Sequence, residues 1–168
     1  MPRQTPNLPL ALRIALAAVA AATLVACGTT GPGSGGGKPG AAAQAKPQFV
    51  RPAGGTTLAR FNGKSNKGID IAGSAGDPVM AAADGRVVYA GAQLRGYGNM
   101  LIVKHNETFI TAYAHNQVLL VKENDIVRQG QTIAEMGKSE ADRVKLHFEI
   151  RKDGTAVDPE PYLSGKLR

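Results

Sequence analysis

From about Arg60 to the carboxyl end, apolar residues fall in short runs of period two, separated by Gly, Asn and Asp. Alternation of this kind places successive side chains on opposite faces of an extended chain, and it predicts an all-β domain. Strands are predicted at 86–90, 100–104, 109–115, 132–135 and 145–151, and no stretch carries a helical period. The four residues His105-Asn106-Glu107-Thr108 suit a tight hairpin between the second and third of these, so adjacent antiparallel strands are expected there. The last strand is the most informative. In Lys145-Leu146-His147-Phe148-Glu149-Ile150-Arg151 the apolar Leu146, Phe148 and Ile150 share the core face. Lys145, His147, Glu149 and Arg151 share the other, as one wall of an open groove or as a plain solvated face.

A different pattern occupies the amino-terminal third. Ile14 to Val25 is an uncharged apolar run behind Arg3 and Arg13. At about a dozen residues it is shorter than the roughly 20 needed to span a bilayer. It fits the central region of a secretory signal, with Leu24-Val25-Ala26-Cys27 at its end. Cys27 is the chain's single cysteine, which excludes an intrachain disulfide and places a thiol at the first position after cleavage. This segment resembles a bacterial lipobox, which implies a signal peptide at 1–26, acylation of Cys27 and a lasting membrane anchor. Gly28 after the cysteine, in place of aspartate, implies an outer-membrane destination by the enterobacterial sorting rule. Residues 27–59 are rich in Gly, Pro and Ala and poor in branched or aromatic side chains, so they are expected to form a flexible tether. One domain, 60–168, is then left to fold on its own core.

The formal net charge of +7 changes this picture little. Lys122, Arg128, Lys138, Arg143, Arg151 and Lys152 make the second half basic, but they are spread along the sequence. No nucleic-acid motif accompanies them, and no nucleic-acid partner is expected.

The stretch Asn66 to Leu163 resembles the lysostaphin-like LytM metallopeptidase domain. Four blocks carry the resemblance: Asn66-Lys67-Gly68-Ile69-Asp70-Ile71; Ala82-Ala83-Asp84-Gly85-Arg86-Val87-Val88-Tyr89-Ala90-Gly91; Tyr113-Ala114-His115; and Lys145-Leu146-His147-Phe148-Glu149 with Val157-Asp158-Pro159 behind it. The resemblance implies a single antiparallel β-sheet carrying a groove, in which active members use zinc to hydrolyse peptide crosslinks of the bacterial cell wall. Those members hold the metal with a His and an Asp four residues apart and the second His of a later His-x-His. Here Asn66 stands at the first ligand position, Asp70 and His147 remain as residual ligands, and Lys145 replaces the first His of the pair. His115 matches the remaining active-site histidine.

A catalytic zinc site generally needs three protein ligands and an open position, and a lysine ammonium repels the dication. No metal, no cofactor and no catalysis are therefore expected of the cleft formed by Asn66, Asp70, His115, Lys145 and His147. Lys145 is expected to pair with Asp70 in the metal's stead. The same double loss is similar to that of NlpD-like lipoproteins, which activate a periplasmic peptidoglycan amidase during daughter-cell separation. That resemblance implies an amidase partner, possible contact with peptidoglycan, and an outer-membrane position facing the periplasm. Such proteins usually carry a LysM module before the LytM domain, whereas here the tether stands in its place.

Two other readings stand beside this one. The domain is an unusual zinc endopeptidase using Asp70, His147 and His115, or it is an envelope adaptor module, since Val121 to Ala134 resembles the barrel-sandwich hammerhead. Tyr97 in its Gly-flanked loop, and Lys138 and Arg143 in the charged loop before the last strand, are the candidate partner-binding residues. Each has a plain surface role as its alternative.

Overall fold

In the computed structural model of the chain, residues 47–167 are described. The predicted signal peptide, Cys27 and the tether as far as residue 46 lie outside the described residues. The described residues form ten strands: β1 (Thr57–Ala59), β2 (Ile69–Ala72), β3 (Pro78–Met80), β4 (Gly85–Gly91), β5 (Asn99–Lys104), β6 (Phe109–Leu119), β7 (Ile126–Val127), β8 (Thr132–Met136), β9 (Lys145–Lys152) and β10 (Thr155–Val157). They join in one antiparallel sheet with the path β1-β2-β9-β6-β5-β4-β7. β10 extends β9 beyond β2, while β8 bridges β6 and β3.

All five predicted strands are present, as is the hairpin at 105–108. There Asn106 Oδ1 accepts the backbone N–H groups of Thr108 and Phe109 at 2.9 and 2.8 Å, a local turn chemistry that Asn supplies well. Ile69, Ile71, Leu101, Val103, Tyr113, Leu146, Phe148 and Ile150 are completely buried on the inner face. β6 is buried from Thr111 to Asn116 because the core covers one face and the groove walls cover the other. Ala112 and Ala114 on that second face are small, which leaves room for the polar side chains of β9 beside them.

Two expectations are corrected. The folded domain starts before Arg60, because Phe49 and Ala53 are each only 3% exposed and β1 pairs with β2. Phe49 packs edge-to-face on Phe109 and Tyr162, with ring centroids 5.7 and 6.1 Å away. One aromatic among Gly, Ala and Pro gives no periodic signal, yet its large apolar area suffices to dock the segment. There is also a short helix, α1 (Glu160–Leu163), entered through Pro159, and its Tyr162 completes this aromatic cluster. A single turn is too short for a 3.6-residue period to register in the sequence. The segment 121–134 takes its place as scaffold, with β7 on β4 and β8 between β3 and β6.

Candidate functional site

Strand register assembles the cleft. Asp70 of β2 lies directly opposite His147 of β9, and Ala114 of β6 lies on the other side of His147. Lys145, His147, Glu149 and Arg151 alternate along β9 onto the same face. Lys145 Nζ donates to Asp70 Oδ2 at 2.9 Å, and His147 Nδ1 donates to Asp70 Oδ1 at 2.7 Å. The other ring nitrogen of His147 is 3.2 Å from Glu149 Oε1. Glu149, 1% exposed, also accepts from the Tyr97 hydroxyl at 2.9 Å and from Arg151 Nε at 2.7 Å. Lys145, Asp70, His147, Glu149 and Arg151 thus form a line of alternating charge when His147 is protonated.

The protonation states follow from these contacts. Burial pushes the Asp70 carboxyl up, but the hydrogen bonds from His147 and Lys145 outweigh it and hold Asp70 at about 2. For His147 burial opposes the charge, yet the flanking Asp70 and Glu149 carboxylates raise it above the ordinary histidine value. Glu149 is lowered: burial would raise it, and the bonds from His147, Arg151 and Tyr97 prevail. Burial and the Glu149 carboxylate push the Tyr97 hydroxyl up. The two carboxylates thus favour the imidazolium form of His147, which can donate from both nitrogens.

His115 is fixed differently. It adopts φ 67°, a left-handed conformation unusual for a non-glycine residue, where β6 departs from regular pairing. Its Nδ1 donates to the Ser139 carbonyl at 2.9 Å, and its ring centroid is 6.0 Å from that of His147. Burial lowers its proton affinity, and the cations His147 and Lys145 act in the same direction. The two histidines are thus pushed in opposite directions, His115 toward the neutral form and His147 toward the charged one.

The Asn66 side chain is occupied locally: Oδ1 accepts the Gly68 N–H at 3.1 Å and Nδ2 donates to the Arg60 carbonyl at 3.2 Å. The five predicted cleft residues, Asn66, Asp70, His115, Lys145 and His147, line one groove of about 500 Å³ together with Tyr97 and Glu149. Lys138 and Arg143 are exposed in the loop outside this lining, and Arg143 reaches only its neighbour Asp142 at 3.4 Å. That loop acts on the groove through Ser139 and Glu140. Ser139 Oγ accepts the Asn99 N–H at 2.9 Å and donates to the Asn116 carbonyl at 2.8 Å, and Glu140 accepts the Gly96 N–H at 2.6 Å. Gly98, at φ 59°, lets the Tyr97 loop approach this closely, since a Cβ there would collide with Ser139. Glu149 and Arg151 are site residues that the sequence pattern places on the right face without marking their role. Their only signal is the shared alternation with Lys145 and His147.

The zinc of active relatives does not fit this donor set. Both oxygens of Asp70 receive donors from Lys145 and His147, and both nitrogens of His147 face carboxylates, so a metal would have to displace contacts these residues already make. The Asn66 oxygen is engaged by the backbone. A dication about 4 Å from an ammonium would meet a repulsion of about 8 kcal/mol at an effective dielectric of 20.

Comparison with known proteins agrees with the fold and with the residues that build it. Residues 64–159 match the model of peptidase family M23. A "Lipoprotein NlpD/LppB homolog" of Pseudomonas aeruginosa is 57% identical over 132 residues, which is 77% of this chain and 44% of that protein. The "Murein hydrolase activator NlpD" of Escherichia coli is 57% identical over 98 residues, 58% of this chain and 26% of that protein. The chain thus spans less than half the length of these curated relatives. Among solved structures, the catalytic domain of the antimicrobial peptidase lysostaphin from Staphylococcus simulans superposes with a TM-score of 0.57 at 30% identity, covering 67% of this chain and 89% of that one. With its antiparallel sheet, its groove and a match across most of the described domain, the chain belongs to peptidase family M23.

Proposed function

We propose that this chain is a non-catalytic lipoprotein of the cell envelope that activates a peptidoglycan amidase. The observation that carries the reading is the ion-paired cleft. Lys145 and His147 occupy both oxygens of Asp70 at 2.9 and 2.7 Å, so the groove keeps its shape while losing the donors a hydrolytic metal requires. Such a groove is a preorganised polar surface, and binding of a partner element there would expose the partner's active site. The curated relatives named murein hydrolase activators support the direction of this reading. Acylation at Cys27 and an outer-membrane position facing the periplasm belong to the same proposal.

The test is elemental analysis for zinc on the purified chain, with peptidoglycan digestion followed in the presence and absence of a purified amidase. The expected result is no stoichiometric zinc and digestion only when the amidase is present. Stoichiometric zinc with digestion by the chain alone would overturn the proposal.

A further inference from the structure

A second polar cluster lies on the solvent face of the sheet and shares no residue with the groove. Register places Ile126 of β7 opposite Arg86 of β4, and Arg86 opposite Lys104 of β5. Like charges directly across a strand pair are destabilising unless something anionic lies between them. Arg128, just beyond β7, joins them around a shallow depression of about 320 Å³, whose wall also contains Asp84, His105 and Ile126.

The neighbours leave most of this charge uncompensated. Arg86 Nη1 donates at 3.0 Å to the Asn124 carbonyl, a neutral acceptor. Lys104 meets Glu107 at 2.9 Å in an exposed pair that competes weakly with a ligand. Among the described residues no carboxylate lies within salt-bridge range of Arg86 or Arg128. Asp84 uses Oδ1 to accept the Gln129 N–H at 2.7 Å. His105 is a scaffold residue: Nδ1 donates to the Asp84 carbonyl at 2.7 Å and Nε2 meets the Thr111 hydroxyl at 2.8 Å. Three cations therefore face one carboxylate in the wall. Two of the cations are guanidinium groups, whose forked donors match the oxygens of a phosphate better than a single carboxylate does.

We propose that this depression is a binding site for a phosphate ester, held by Arg86, Lys104 and Arg128. Ile126, 61% exposed at its lip, provides an apolar contact for whatever the phosphate carries. The phosphate has two available sources, a soluble phosphate ester and the headgroup of an anionic phospholipid. In the second case Ile126 would enter the acyl boundary.

The experiment is isothermal titration of the full chain in neutral detergent with glycerol 1-phosphate and, separately, with short-chain phosphatidylglycerol. Saturable binding is expected, weakened about a hundred-fold by the pair Arg86→Gln and Arg128→Gln, since charge-assisted hydrogen bonds carry on the order of ten-fold each. Both substitutions are at exposed positions, and relief of the Arg86–Lys104 repulsion offsets loss of the Arg86 bond to the Asn124 carbonyl, so the melting temperature should change little. Lys64→Gln, at an exposed cation outside the depression, should leave binding unchanged. If the lipid binds more tightly than the ester and Ile126→Ser removes only that difference, the source is a headgroup. Equal affinities indicate a soluble ester. Absence of saturable binding of either probe would overturn the proposal, as would an equal loss in the Lys64→Gln variant.

Discussion

Replacing Lys145 by alanine tests the ion pair that fills the cleft. Lys145 and Asp70 are 19% and 12% exposed at the side chain and their charged atoms are 2.9 Å apart. Exposed pairs contribute about 0–1 kcal/mol, whereas removing one partner of a fully buried pair costs about 3–5 kcal/mol because a charge is stranded. This pair lies between those limits, and His147 continues to hold one Asp70 oxygen in the variant. A loss of about 2 kcal/mol is therefore expected, which for a domain of this size lowers the melting temperature by about 8 °C. Urea unfolding of wild type, Lys145→Ala, Asp70→Asn and the double variant closes a thermodynamic cycle that isolates the pairwise energy from the loss of the Asp70–His147 bond. The coupling should be at least about 1 kcal/mol. A value below about 0.5 kcal/mol would refute the reasoning, because the pair would then behave as a solvated surface contact.

Four further outcomes follow from the structure. The double variant Asn66→His with Lys145→His restores the ligand pattern of active relatives and removes the repelling ammonium, so it should retain zinc after dialysis, whereas Lys145→His alone should not; elemental analysis decides, and zinc in neither would show that more than these two positions excludes the metal. Asp70 is held at about 2 in the folded protein, below its ordinary value of 3.8, so its stabilisation is present above about pH 4 and is lost as the pH falls toward 2. After allowance for screening at the open side of the groove this is about 1–2 kcal/mol, read as an acid-side fall in urea midpoint that is shallower in Asp70→Asn; equal slopes would contradict it. His147 has the opposite sign, its raised proton affinity contributing stability below the ordinary histidine range that fades as the pH climbs through the folded value. Phe49→Ala should cost about 3–5 kcal/mol because the ring is 3% exposed among Phe109 and Tyr162, and a chain beginning at Arg60 should melt earlier still; unchanged stability in both would return residues 47–59 to the tether.

The sequence by itself determined the strand-rich architecture and the faces of its strands. In Lys145 to Arg151 the alternation alone separates Leu146, Phe148 and Ile150 from the polar row, because a period of two is a local property of an extended chain. The substitutions Asn66 and Lys145 were likewise legible, since each stands inside a block that resembles active enzymes. Which strands become neighbours is not a local property. Asp70 and His147 meet only because β2 pairs with β9 in one register, and that register is selected by burial of Ile69, Ile71, Leu146 and Phe148 on the far face.

The same long-range packing buried Glu149 and thereby made it the carboxylate shared by His147, Tyr97 and Arg151. It drew Phe49 into the core from a stretch of Gly, Ala and Pro. It also gathered Arg86, Lys104 and Arg128, which are dispersed in the sequence, around one depression. Charge spacing along a chain does not predict charge spacing across a sheet, because strand pairing brings residues far apart in sequence to within about 5 Å of each other.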